Sequence, residues 1–166
     1  MVSRTKHQQQ EAKMTPVKDR AELLRLYGDP LAGGAKWWRE FGREVRLGPE
    51  FAHVRSDGKP WRGRFWCHRD IRSATQATFA DIAQQKLAHE IHTYDGCYVL
   101  RAMRRSTNIS IHSWGYAIDL NAAENTLGEI PKMSPAIVAV FKSHGWIWGG
   151  DWKRPDGMHF QLVRKG

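Results

Sequence analysis

Four side chains in the C-terminal half of this chain are of the kinds that bind metals and move protons. His112 and Asp119 stand seven positions apart in the run Ser110-Ile-His-Ser-Trp-Gly-Tyr-Ala-Ile-Asp-Leu-Asn121. Asp156 and His159 stand three apart in Asp156-Gly-Met-His-Phe160. Two imidazoles and one carboxylate make a nitrogen and oxygen donor set suited to Zn²⁺, with a fourth position left for water. That open position separates a catalytic zinc from a structural one. Either spacing alone arises often by chance; the two together are specific.

The first run fits S-x-H-x-x-G-x-A-x-D at Ser110, His112, Gly115, Ala117 and Asp119 without departure. The second fits D-x-x-H and follows Trp148-Gly-Gly-Asp-Trp152. Together they resemble the signature of the D-alanyl-D-alanine carboxypeptidase / L-alanyl-D-glutamate endopeptidase family of zinc peptidases, over about Gly96 to Phe160. The resemblance implies one zinc held by His112, Asp119 and His159, with Asp156 as general base. It also implies an upstream arginine that holds a substrate carbonyl or carboxylate, and both Arg101 and Arg104 qualify. The implied substrate is the peptide stem of bacterial peptidoglycan, cut between L-Ala and D-Glu as in phage endolysin-like members. A D-Ala-D-Ala carboxypeptidase is the alternative within enzymes. A non-catalytic zinc-bearing module that binds wall or nucleic acid is the alternative from another class, and a base at Asp156 argues against it.

Other candidates carry less. Ser110 is expected to hydrogen-bond within the site, and Trp114 and Trp152 to flank it, lining a groove or packing behind the ligands. His89-Glu90-Ile91-His92 falls one residue short of the H-E-x-x-H zinc helix and reads as a solvated helix end. His68 and His144 read as structural, and Asp151 as a loop-forming residue. No G-x-S-x-G supports a serine nucleophile.

With 166 residues, 41% of them apolar and eight tryptophans, the chain is expected to fold as a single domain with a real core. A formal net charge of +9 calls for an anionic partner, and a bacterial wall rich in phosphate polymers serves as well as nucleic acid. No helix-turn-helix or zinc-finger spacing supports specific nucleic-acid binding. Two cysteines, Cys67 and Cys97, are too few for a disulfide framework and read as reduced thiols. No apolar run is long enough to span a membrane, and the polar, basic start has no signal-peptide core. The expectation is therefore a monomer made in the cytoplasm that reaches the wall after holin-type release.

Residues 1–14 read as a disordered basic arm, residues 15–166 as the zinc peptidase domain, and about 62–164 as its motif-bearing core. Thr15-Pro16 predicts the start of a helix that includes Val17, Ala21 and Leu24 and stops at Gly28. From Gly33 to Trp61 the glycines and prolines predict irregular structure. A strand is expected over Arg64–Arg69, with Phe65 and Cys67 on one side. A helix is expected over Thr75–His92, with Phe79, Ala83, Leu87 and Ile91 in a row. Further strands are expected at Gly96–Met103, Tyr116–Asn121, Trp146–Trp148 and Met158–Val163, and a helix opening at Ser134-Pro135. In the second of these strands Ala117, Asp119 and Asn121 share one face, with Ile118 and Leu120 inward. Without βαβ rhythm, the sum is α+β: a small antiparallel sheet flanked by helices.

Overall fold

A computed structural model of the chain describes residues 16–52, 54–55 and 57–164. The expected basic arm and Thr15 lie outside them. Four helices and two sheets make an α+β fold, as the strand and helix pattern predicts. The helices are α1 (Arg20–Tyr27), α2 (Pro30–Phe41), α3 (Arg72–Gln84) and α4 (Pro135–Ser143). The strands are β1 (Gly42–Arg46), β2 (Val54–Arg55), β3 (Arg64–His68), β4 (Thr93–Gly96), β5 (Ala117–Leu120), β6 (Ile147–Trp148) and β7 (His159–Gln161).

The larger sheet runs β2-β4-β5-β7-β6. Its pairings are antiparallel except at one edge, where β2 runs parallel to β4. One face carries Ile118, Leu120, Phe160 and Leu162, all fully buried. Phe160 stacks on Phe141 of α4 at 4.1 Å, and Phe79 of α3 meets Phe141 edge-on at 5.9 Å. Each such side chain stabilises the fold by roughly 1.5–3 kcal/mol through burial. The sheet is thus anchored on one side by helices and free to present ligands on the other.

β1 and β3 form a separate antiparallel pair, Gly42 opposite His68 through Arg46 opposite Arg64. Phe65 and Cys67 are buried together, as their alternation predicts. Gly115 docks this pair to the site: its carbonyl accepts from the His68 amide at 3.1 Å.

Several element boundaries differ from expectation. The first helix starts at Arg20 with Asp19 as its cap, and the buried residue is Leu23, while Ala21 and Leu24 face solvent. Val17 instead forms a parallel bridge to Val163. Gly28 does end the helix, with φ +73°. The supposedly irregular stretch after Gly33 holds most of α2 and all of β1. Asp29 caps α2 through two backbone amides, Pro30 takes the first turn, and a kink at Gly34 is absorbed within the helix. α3 ends at Gln84, not His92, because Lys86 turns to φ +59° and a 3-10 turn follows. β4 precedes the predicted strand: Thr93–Gly96 makes the ladder, while Val99 and Leu100 stand exposed. The last helix and the strands after it fall where they are expected.

Candidate metal centre

His112 sits in a buried 3-10 turn, Ile111–Trp114, closed by Gly115 at φ +67°. A Cβ at Gly115 would lie 2.8 Å from the His68 nitrogen, so both the left-handed turn and the close approach require glycine. The His112 Nδ1–H donates to the Cys97 carbonyl at 2.8 Å, which leaves Nε2 as the free lone pair. Nε2 lies 3.2 Å from Asp119 Oδ2.

Asp119 and His159 are direct cross-strand partners on β5 and β7. Asp119 Oδ1 lies 3.0 Å from His159 Nδ1. The other His159 nitrogen, Nε2, is 2.9 Å from Gln161 Oε1, and the Gln161 amide NH₂ donates to the Val163 carbonyl. That second bond fixes the amide so that its oxygen faces His159. The oxygen can only accept, so Nε2 carries a proton; Nδ1 faces Asp119, donating to it while the ring is doubly protonated and free to ligate a cation when it is not. Each histidine, when neutral, is thereby set in one tautomer by a neighbour, the arrangement metal-ligating histidines need.

One donor atom from each of His112, Asp119 and His159 lies within 4.8 Å of the others. Two imidazole nitrogens on buried histidines and a carboxylate oxygen of the half-buried Asp119, this close together, fit a divalent cation of zinc's character. Burial by itself would push the Asp119 carboxyl up. The flanking His112 and His159 outweigh it and hold Asp119 well below the usual carboxylate range. For His159, burial works against protonation, but the bonds to Asp119 and Gln161 and the charge of Asp156 raise it.

Asp156 lies in the turn that enters β7; its carbonyl accepts from the His159 amide at 3.1 Å. Its Oδ1 is buried with no hydrogen-bond partner among the described residues. Burial raises its carboxyl; His159 opposes this, and the Asp119 charge adds to it. A carboxylate oxygen without a partner, close enough to His159 and Asp119 to feel their charge, is a candidate proton acceptor. Gly149 makes this turn possible, since a Cβ there would lie 2.6 Å from the Asp156 carbonyl oxygen and 3.3 Å from His159 Cβ. The Trp148-Gly-Gly-Asp-Trp152 motif therefore supplies a packing surface. Asp151 is exposed and paired with Lys142 at 2.6 Å, in keeping with a loop role.

The remaining candidates divide. Arg101 is exposed, and its charge reaches Asp156. Arg104 occupies the exposed tip of a short hairpin bridged at Ala102 and Ile109, with no hydrogen bond or ion pair among the described residues. Ser110 is buried, but its hydroxyl does not cap the His112 turn. The serine that ties the site together is Ser113, which the sequence reading passed over. Its hydroxyl accepts from the Arg101 amide at 2.9 Å and donates to the Arg101 carbonyl at 2.8 Å, fastening that arginine to the His112 turn. Trp114 is fully buried with its indole N–H on the Gly28 carbonyl, so it packs behind the ligand and lines no groove. Trp152 is half-buried with its ring 5.4 Å from His159, at the mouth of the site. Asn121 leaves the strand at φ +52°, and its side chain bonds to the backbone of Glu90, His92 and Thr93, so it does not share the ligand face.

The other histidines among the described residues stay outside. His89 is exposed near the Lys86 carbonyl, and His92 pairs with Glu124 at 2.7 Å. His144 pairs with Asp81 at 3.1 Å, joining α4 to α3. His68 is fully buried among the rings of Tyr27, Trp37, Phe41 and Tyr116. Cys67 and Cys97 are free and fully buried, and burial pushes the Cys67 thiol up to about 12.

Residues 104–162 match the family model described as D-alanyl-D-alanine carboxypeptidase. In this stretch the chain is similar to that family. The match takes in all three donors, Asp156 and Gln161, and it stops short of Arg101 and everything before it. No curated protein and no solved structure matches the chain. Among the described residues, no helix is long and apolar enough to cross a membrane.

Proposed function

We propose that this protein is a zinc-dependent peptidase that hydrolyses the peptide stem of bacterial peptidoglycan, at the L-Ala–D-Glu bond, as an endolysin-type enzyme does. The observation that carries the reading is the orphaned Asp156 oxygen beside a convergent His112, Asp119 and His159 triad, within a stretch similar to a peptidase family. A zinc ion held by the three donors would supply Lewis acidity, polarising a peptide carbonyl and acidifying water. Asp156 takes the proton from the attacking water and passes it to the leaving amine. Arg101, tethered through Ser113, offers a guanidinium to the carbonyl oxygen as it gains charge or to a nearby substrate carboxylate.

The choice of endopeptidase rests mainly on the phage-type members of the family that the motifs resemble, and the loop between β5 and α4 adds to it. A carboxypeptidase must capture a free terminal carboxylate, and the stretch 122–131 carries Glu124 and Glu129 with no lysine or arginine. The second reading, D-Ala-D-Ala carboxypeptidase, is favoured by the description of the matching family. One digestion separates the two. A defined stem peptide incubated with the protein should yield an L-alanine carboxyl end and a D-glutamate amino end by mass spectrometry. Free D-alanine as the sole product would select the carboxypeptidase, and an intact peptide would remove both. The protein should hold about one zinc per chain, as a single three-donor site requires, and a chelator should abolish cleavage until zinc is restored.

A further inference from the structure

The outer face of the β1/β3 pair has an arrangement that the catalytic reading does not use. Trp38 covers Gly42 and stacks on Tyr98, with ring centroids 3.5 Å apart and planes 12° from parallel. Trp66 meets Trp38 edge-on at 6.1 Å and remains 48% exposed. On the same face, directly across from Trp66, Glu44 receives Arg64 at 2.6 Å and Arg46 at 2.6 Å. Flat aromatic surface thus lies next to a cluster of Arg46, Glu44 and Arg64 joined by ion pairs.

This shelf is joined to the metal centre by a short path. Tyr98 stands between two residues that both hold His112: the Cys97 carbonyl accepts from its ring, and the Val99 amide donates to its carbonyl at 3.1 Å. Val99 and Leu100, which follow Tyr98 in the chain and precede Arg101, are both exposed. A contiguous exposed apolar strip with a polar border marks a binding surface.

We infer that this shelf, centred on Trp66, binds the amino-sugar backbone of the glycan that carries the peptide stem. The inference rests on the proposed wall-peptidase reading for its choice of sugar. A β-1,4-linked N-acetylated sugar presents a face of C–H groups, which the electron-rich face of an indole attracts. Its hydroxyls and acetamido groups need the donors and acceptors that Glu44, Arg46 and Arg64 provide. The stem begins on the sugar, and the L-Ala–D-Glu bond is the first bond between its amino acids. An enzyme cutting there works close to the saccharide, and Tyr98, in sequence between the two residues bonded to His112, links the shelf to that turn.

Two measurements on the full chain test this. The first titrates the N-acetylglucosamine tetramer into wild-type, Trp66→Ala and Trp66→Phe proteins by calorimetry, and it needs no catalysis. Saturable binding by wild type is expected, weakened at least fivefold in Trp66→Ala and largely restored in Trp66→Phe. No saturable binding by wild type, or equal binding by Trp66→Ala, would overturn the inference. The second compares a sugar-bearing muropeptide with the free stem peptide. Trp66→Ala should raise KM about tenfold on the first with kcat within twofold, and leave the second unchanged. An equal loss on both would also overturn it, because it would mark Trp66 as structural. Failure of wild type to cut either peptide would refute the hydrolytic reading, and the calorimetry would then decide the shelf on its own.

Discussion

At the scale of single residues, the division of labour between Asp156 and His159 can be separated by experiment. His159→Ala removes a donor and should release the metal, seen as zinc content falling well below one per chain. Asp156→Asn keeps all three donors, so zinc should stay while kcat falls by roughly 10²-fold or more, the scale of general-base catalysis. Near-wild-type turnover in Asp156→Asn would place the base elsewhere. Gln161 invites a subtler change. Gln161→Leu deletes the acceptor of the His159 Nε2–H and should weaken zinc affinity about 10–100-fold in a competitive chelator titration. Unchanged affinity would mean that strand geometry alone orients His159. These two aspartates and two histidines were legible in the sequence because their chemistry is written in residue type and local spacing. Gln161 and Ser113 were not: a glutamine two places from a histidine, or a serine beside one, is ordinary until the fold shows what each side chain reaches.

At the scale of elements, the glycines decide whether the site closes. Gly149→Ala sets a methyl 2.6 Å from a backbone oxygen of the turn that carries Asp156, so either Asp156 or His159 must move. The expected result is a loss of kcat with a modest drop in melting temperature, and retention of full activity would show that the turn has slack. Gly115→Ala combines a left-handed backbone with a clash against β3 and should cost about 1–3 kcal/mol in urea unfolding. Gly115 is legible as a motif position, and the structure supplies its physical reason, a left-handed backbone packed against β3. α2 was not legible in this way. Gly33 and Gly34 look like loop punctuation, and only Asp29-Pro30 signals a helix start. β4 was shifted because Cys97–Leu100 has the apolar run of a strand, whereas hydrogen bonding fell to the polar Thr93-Tyr-Asp-Gly beside it.

For the whole molecule, two bulk properties follow. The net charge of +9 should draw the protein to intact anionic walls, with binding that weakens as salt rises, while cleavage of a short soluble stem should respond far less. Equal salt responses would mean that the charge is not used for wall attachment. The second property is acid sensitivity. Burial holds the His68 imidazole down at about 4, against the opposing pull of Asp70. An unfolded histidine titrates near 6.5, so between those values the unfolded chain binds the proton and the folded chain does not. His68 therefore costs nothing above about pH 6.5 and destabilises the fold progressively as pH falls towards 4, by about 3 kcal/mol in all. Urea midpoints measured from pH 7 to 4 should fall less steeply for His68→Gln than for wild type; parallel curves would exclude this histidine as the cause.

The strand order has a consequence for how the protein comes into being. β7 is the last strand in the chain, yet it lies between β5 and β6, and it carries His159. β5 and β6 precede β7 in the chain but pair only with it and not with each other, so β7 must insert between them to complete this side of the sheet. Asp119 meets His159 only when that pairing forms. The step that completes the sheet is therefore also the one that brings two of the three candidate metal donors together. A fragment ending before Met158 should accordingly show neither zinc retention nor cooperative melting, whereas a folded, zinc-holding fragment would mean that the other strands assemble without it.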